Sequence, residues 1–173
     1  AAAEAHLLGK PYTVPDAVRP FLDQYLRFLD EHKVDPEASE ATVANPEFGY
    51  AGTGDLWAKL HGEPGVWLID LKTSSTRPVD SVYPEYAYQL AALRQAPKLW
   101  LDDKTELDAP VVVRCAVLNV RADDYQLIPI SEKAIDACWA VFCACVDIAT
   151  LTTELKDSTF DEPVAVPALT EVA

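Results

Sequence analysis

Apolar residues recur at Val18, Phe21, Leu22, Tyr25, Phe28 and Leu29, the spacing that lines one face of a helix. Pro15-Asp16 opens this segment, His32-Lys33 fall near its negative C-terminal end, and Val34-Asp35-Pro36 closes it. Asp35 to Ala38 then reads as a loop. Beyond it the pattern changes to extended segments. Glu40 to Ala44 is short and β-compatible, and Tyr50 to Leu60 contains Gly52 and Gly54, which suggest a bend or a close backbone approach. The segment His61 to Gly65 makes a turn. Val66 to Thr73 follows as a nearly continuous apolar run, the pattern of a strand covered on both faces. The second and third strands are therefore expected to form a hairpin.

Pro84 at a first helical position introduces a second helix carrying Tyr86, Gln89, Leu90 and Leu93. Val111 to Val120 and Tyr125 to Ile130 read as strands. Ser131 is the expected N-cap of a long helix through Ile135, Cys138, Trp139, Phe142, Cys145, Val146 and Ala149. The predicted order is αβββαββα, an α/β domain over residues 1–157 with a mixed central sheet flanked by helices. Residues 158–173, acidic and containing Pro163 and Pro167, read as a flexible tail.

Composition bounds the function. The 173 residues are one domain's length, and half of them are hydrophobic. No apolar run approaches the roughly 18 residues that span a bilayer. Ala1 to Gly9 lack the basic start and apolar stretch of a signal peptide. A cytoplasmic location (host cytoplasm if phage-encoded) without a membrane partner is expected. Charge complicates the picture: 14 Lys and Arg stand against 28 Asp and Glu, a net −14. That argues against broad adhesion to nucleic acid, which needs basic stripes. Carboxylates that hold divalent cations are partly neutralised by them, however, so the acidity leaves room for a metal-assisted site. Much of the acidity falls at Asp102-Asp103, Asp123-Asp124 and the tail, which read as surface.

Cys115, Cys138, Cys143 and Cys145 are spaced by 23, 5 and 2 residues, with no C-x-x-C pair. No iron–sulfur cluster is expected from these spacings. The last three fall in the apolar helix and are expected to pack as small buried hydrophobes, without disulfides.

Asp70 and Lys72 are two apart on the third strand, so their side chains leave one face while Leu71 points the other way. A carboxylate and an ammonium on an apolar strand are costly unless something uses them. Asp55 sits beside glycines on the preceding strand, where the hairpin could bring it to Asp70. Two converging carboxylates repel, and a hard cation such as Mg²⁺ resolves the repulsion.

Three blocks carry a resemblance: Gly49-Tyr50-Ala51-Gly52-Thr53-Gly54-Asp55, Ile69-Asp70-Leu71-Lys72-Thr73-Ser74, and Tyr86-Ala87-Tyr88-Gln89-Leu90-Ala91-Ala92-Leu93. Together and in order they resemble the PD-(D/E)XK nucleases, with their restriction-endonuclease-like core. Within that family the chain looks most like the RecB-type and CRISPR-adaptation exonucleases, which are related to lambda-type phage exonucleases. The resemblance implies Mg²⁺ or Mn²⁺ held by Asp55, Asp70 and the Leu71 backbone carbonyl, with Glu40 completing the site and His6 as a further candidate ligand. It implies that Lys72 orients the attacking water or stabilises developing charge, and that Gln89 supports the site. DNA is the implied substrate, in recombination, repair or phage DNA processing. A recombination or replication partner protein and self-association into an oligomer are implied as well.

The chain departs from the pattern at Gly54, where the family name has proline, and at Leu93, where this branch often has tyrosine. Tyr86 lies one turn before Gln89 on the same helix face and is a candidate to compensate at the substrate. Thr73 and Ser74 head a hydroxyl-rich loop, running to Arg77, that suits a phosphate.

Each feature also has a plainer reading. Asp70 and Lys72 could be an ion pair at a sheet edge, Asp55 turn chemistry, Glu40 a solvated strand residue and Gln89 helix surface. His6 could be structural, Tyr86 core, and residues 73–77 a polar loop. Trp57 and Trp67 are expected to pack in the core rather than to stack on bases.

Overall fold

The computed structural model describes residues 2–100, 105–156, 158–162 and 164. Its elements are α1 (Ala2–Leu7), α2 (Arg19–Glu31), β1 (Asp35–Asn45), β2 (Tyr50–Lys59), β3 (Val66–Thr73), α3 (Pro84–Arg94), β4 (Lys98–Trp100), β5 (Glu106–Asp108), β6 (Val112–Val120), β7 (Tyr125–Pro129) and α4 (Ile135–Leu155). Seven strands form one sheet in the order β5-β4-β1-β2-β3-β6-β7. β3 and β6 run parallel and the other neighbours antiparallel, so the sheet is mixed. The α/β class with helices flanking a mixed sheet is therefore as the hydrophobic pattern predicts, and so is the β2–β3 hairpin.

The predicted elements need correction in five places. A short helix, α1, precedes the predicted first one. β1 starts at Asp35, so the expected loop of residues 35–38 is strand. Its outer end shifts register between Pro36 and Ala38, which lets the proline sit where a regular ladder would want its N–H. The three-residue strands β4 and β5 extend the sheet beyond β1 and are too short to show periodicity. Finally, Ser131 does not cap α4: it accepts the Ala134 N–H in a preceding turn, and the helix starts at Ile135 with no side-chain cap. At α2, Pro20 occupies the first turn, so the helix begins four residues after Pro15 and not at it.

Two apolar layers hold the sheet. On one face α2 contributes Leu22, Tyr25 and Phe28 against Leu56, Trp67, Ile69 and Leu118. On the other, α3 contributes Leu90, Ala91 and Leu93 against Val43, Trp57, Leu68, Cys115 and Val117. Trp57 and Trp67 are core residues, as expected.

The cysteines on α4 do not fit the expectation of burial. Cys115 is buried, but Cys138 and Cys143 are half-buried and Cys145 is exposed. Ile135 is the buried residue of α4. The helix carries an 18-residue window of mean hydropathy 1.6, only 6% of it buried, so by length and composition it could cross a membrane. The sequence expectation of no such stretch overlooked it because Asp136 and Asp147 interrupt the apolar run. Of the expected tail, residues 158–162 and 164 are exposed. Its other residues, like Asp102-Asp103, lie outside the described residues.

Candidate active site

β3 and β6 lie side by side, and both become polar toward their C-terminal ends on the α3 face. On β3 the sequence passes from Leu68 to Asp70 and Lys72; on β6 it passes from Cys115 and Val117 to Asn119, with Arg121 just past the strand end. Alternation puts these residues on one face. The carboxyl ends of parallel strands are where open α/β sheets gather functional groups.

Asp70 is 3% exposed. The Lys72 ammonium donates a hydrogen bond to Asp70 Oδ1 at 2.8 Å and lies 2.7 Å from Oδ2. The second contact has the distance of an ion pair without hydrogen-bond geometry, and Oδ2 is a buried oxygen with no hydrogen-bond partner. Lys72 also lies 5.0 Å from the centre of the Tyr86 ring, a cation–π contact across to α3.

The β2–β3 ladder pairs Ala58 with Trp67, Trp57 with Leu68 and Leu56 with Ile69. One step further would set Asp55 opposite Asp70, but the pairing stops there. Two carboxylates directly opposed across strands repel. Asp55 Oδ2 instead accepts the Leu71 N–H at 2.6 Å. The N–H and C=O of one residue leave an extended strand on the same side, so the Leu71 carbonyl faces the same opening. Burial raises the Asp55 carboxyl above its ordinary value of 3.8. The Leu71 hydrogen bond and nearby Lys72 oppose that shift, and Asp70 adds to it.

Glu40 completes a row. The pairs Ser39↔Leu56 and Ala41↔Gly54 place it opposite Asp55 in register. Its backbone is left-handed, with φ of 50°, a conformation that L residues seldom adopt. The strain has a structural consequence. Ala38, Ala41 and Val43 all pack in the same layer, although strict alternation would separate Ala38 from Ala41. The face therefore switches at Glu40. Glu40 and Asp55 line a small cavity toward α2 with Tyr25, Ile69 and Leu71, while Asp70 and Lys72 stand on the α3 side. Burial raises the Tyr25 hydroxyl, and both carboxylates raise it further. Among the described residues, no three His, Cys, Asp or Glu side chains come together as a metal-binding group.

Gly54 is required where it stands. A Cβ there would lie 2.2 Å from Cη2 of Trp57, whose indole fills the space. Trp57 thus accounts for glycine at this position. Leu93 is also accounted for: it is buried, and its Cδ2 would be 3.1 Å from a Cβ on Gly52.

Other predicted residues stand elsewhere. His6 is exposed, bonds through Nδ1 to the Tyr12 hydroxyl at 3.0 Å and lines a surface hollow with Leu26 and Leu29. Ala3, one turn earlier on α1, is what reaches the Asp55 cavity. Gln89 is exposed and borders a groove of about 300 Å³ with Tyr50, Thr53 and Phe142, which Asp55, Asp70 and Lys72 do not line. Ser74 Oγ accepts the N–H groups of Thr76 and Arg77, so it closes a turn; Thr73 is exposed.

The sequence reading missed two buried polar residues, Asn119 and Arg121. Asn119 Nδ2 donates to the carbonyls of Val79 at 2.9 Å and Ser81 at 2.7 Å. Arg121 donates to the carbonyls of Arg77, Pro78, Val120 and Lys72. They fasten the connection from β3 to α3. Their signal was present, since polar residues at alternate positions ending an apolar strand repeat the pattern of Asp70 and Lys72. No family model and no curated protein matches the chain.

The donor types are those a hard divalent cation takes, although Asp55 and Asp70 face opposite sides of the sheet. Two carboxylates and a peptide carbonyl offer oxygen alone, and Asp70 Oδ2 is buried without a hydrogen bond.

Proposed function

We propose that the chain is a Mg²⁺- or Mn²⁺-dependent DNA exonuclease on a restriction-endonuclease-like core of the PD-(D/E)XK type. The observation that carries the reading is the pairing of buried Asp70 with half-buried Lys72, one register step beyond the end of the β2–β3 ladder, with Asp55 bound to the intervening Leu71 amide. Asp55, Asp70 and the Leu71 carbonyl would hold the cation, which supplies polarisation of the phosphate and a more acidic water. Lys72 would orient that water or stabilise charge on the phosphate oxygens. Tyr86 fixes the ammonium from the α3 side. Glu40 shapes the far wall of the Asp55 cavity. Recombination, repair or phage DNA processing in the cytoplasm is the setting this reading implies.

Degradation of linear and closed circular DNA with Mg²⁺, with Mn²⁺ and with chelator tests it. Metal-dependent loss of linear DNA alone, absent in Asp70→Ala and Lys72→Ala, is the expected result. Equal loss of closed circles would make the enzyme an endonuclease on the same core. Cleavage that survives Asp70→Ala sinks the assignment. A second reading, a nuclease-like module kept for protein contacts, draws support from the net charge of −14 and the exposed apolar surface of α4. No heat of Mg²⁺ or Mn²⁺ binding in calorimetry, together with no cleavage, would favour it.

A further inference from the structure

Lys72 does not end its contacts at Asp70. From its ammonium a chain of aromatic and cationic groups runs to the surface. Lys72 lies 5.0 Å from the Tyr86 ring centre, and Tyr86 meets the Tyr83 ring edge to face at 5.5 Å between centres. The Arg77 guanidinium lies 4.9 Å over Tyr83. Lys72, Tyr83 and Tyr86 are half-buried, and Arg77 and neighbouring Val82 are exposed.

This row is held from beneath. Arg77 gives its carbonyl to the buried Arg121 at 2.7 Å and its N–H to Ser74 Oγ at 3.1 Å. Asn119 ties down Val79 and Ser81 just before Tyr83. Tyr83 is extended and Pro84 follows it at the helix start, which fixes where the ring leaves the backbone. A surface connection of this length is ordinarily mobile. Here two buried side chains donate to carbonyls along it, so its exposed groups are pre-arranged. Arg77 is also the one cation in residues 73–83, beside Asp80, in a chain of net charge −14.

We propose that Arg77, Tyr83 and Tyr86 form the subsite that leads a single DNA strand to Asp70 and Lys72, one unpaired base stacking on Tyr83 and a phosphate seating on Arg77. The inference rests on the nuclease reading and names its substrate as single-stranded. An aromatic face accepts a base only when that base is out of a duplex, and one guanidinium is a modest electrostatic hold. Asn119 and Arg121 are positioning residues that keep the subsite in place.

Fluorescence anisotropy with a labelled deoxythymidine oligomer of about 12 nucleotides, in chelator so that nothing is cut, tests this against a duplex of equal length. The wild-type protein should prefer the single strand. Tyr83→Ala should weaken binding about tenfold and Tyr83→Phe should restore it, because stacking needs the ring and not the hydroxyl. Arg77→Ala should lower the slope of log affinity against log salt by about one. Melting curves of each variant report the fold. Should Tyr83→Ala melt early, exposed Arg77 decides the matter alone. Unchanged affinity and salt slope in Tyr83→Ala and Arg77→Ala, or a preference for duplex, overturns the subsite. Wild-type cleavage that persists in that case leaves the nuclease reading standing, whereas a wild-type protein that neither binds nor cuts removes both.

Discussion

The C-terminal end of β3 and the length of α4 invert the usual rule in opposite directions. Asp70 is 3% exposed, whereas on α4 Ile148 is 64% and Leu151 55% exposed. At β3 the chain removes a carboxylate from water and gives it an ammonium from the same strand. On α4 it leaves aliphatic side chains in water along a helix whose buried residue is Ile135. The first arrangement holds a carboxylate and an ammonium together where little water reaches the carboxylate, which is costly unless the pair is used. The second forgoes hydrophobic stabilisation. Local hydropathy therefore reports burial poorly at both places, and both are where function is to be sought.

The largest expected effect breaks the β3 side. Asp70→Ala should lower DNA cleavage by about a thousandfold or more, measured as turnover of linear DNA in Mg²⁺, with a circular dichroism spectrum like that of the wild type. Removing the partner is the structural counterpart. Lys72→Met leaves the Asp70 carboxylate buried and unpaired and should cost about 3 kcal/mol in urea unfolding. Wild-type stability in that variant would mean that Asp70 is hydrated, which would collapse the contrast with α4.

The next effect concerns the cation. Mg²⁺ or Mn²⁺ at about a hundred times its dissociation constant should stabilise the wild type by about 2.7 kcal/mol, read as a rise in melting temperature. Asp55→Asn should lose most of that rise. The same variant also has a pH signature. The folded Asp55 carboxyl titrates above 3.8 because burial disfavours its charge. The folded state thus holds this proton to a higher pH than the unfolded chain does, and wild-type stability falls as pH rises from 3.8 through the folded value. In chelator, the stability of Asp55→Asn relative to wild type should therefore grow with pH across that window and then level off. An unchanged difference would mean that Asp55 is solvated. The smallest effect belongs to α4: Ile148→Ser and Leu151→Ser should each change stability by no more than about 0.5 kcal/mol. A larger loss would show that the helix is covered in solution.

Much of this molecule follows from short-range pattern. The apolar spacing from Val18 to Leu29 yields α2, the continuous run from Val66 gives β3 as an interior strand, and Pro84 starts α3. The pair Asp70 and Lys72, two residues apart on a strand, had to share a face. What the pattern could not carry depends on distant residues. β4 and β5, three residues each, are strands only because β1 offers an edge. Gln89 lies on a well-predicted helix yet borders a groove formed with β2 and α4.

The sequence by itself determined the α/β class, the hairpin and the identity of the charged pair, since alternation and helical period are properties of neighbouring residues. Tertiary structure alone decided that the ladder stops one step before Asp55 meets Asp70, that β1 turns its face at Glu40, and that Asn119 and Arg121 anchor the connection from β3 to α3. Register, a face switch and a buried hydrogen-bond clamp are set by contacts between segments tens of residues apart. Their energies enter only once the sheet has closed.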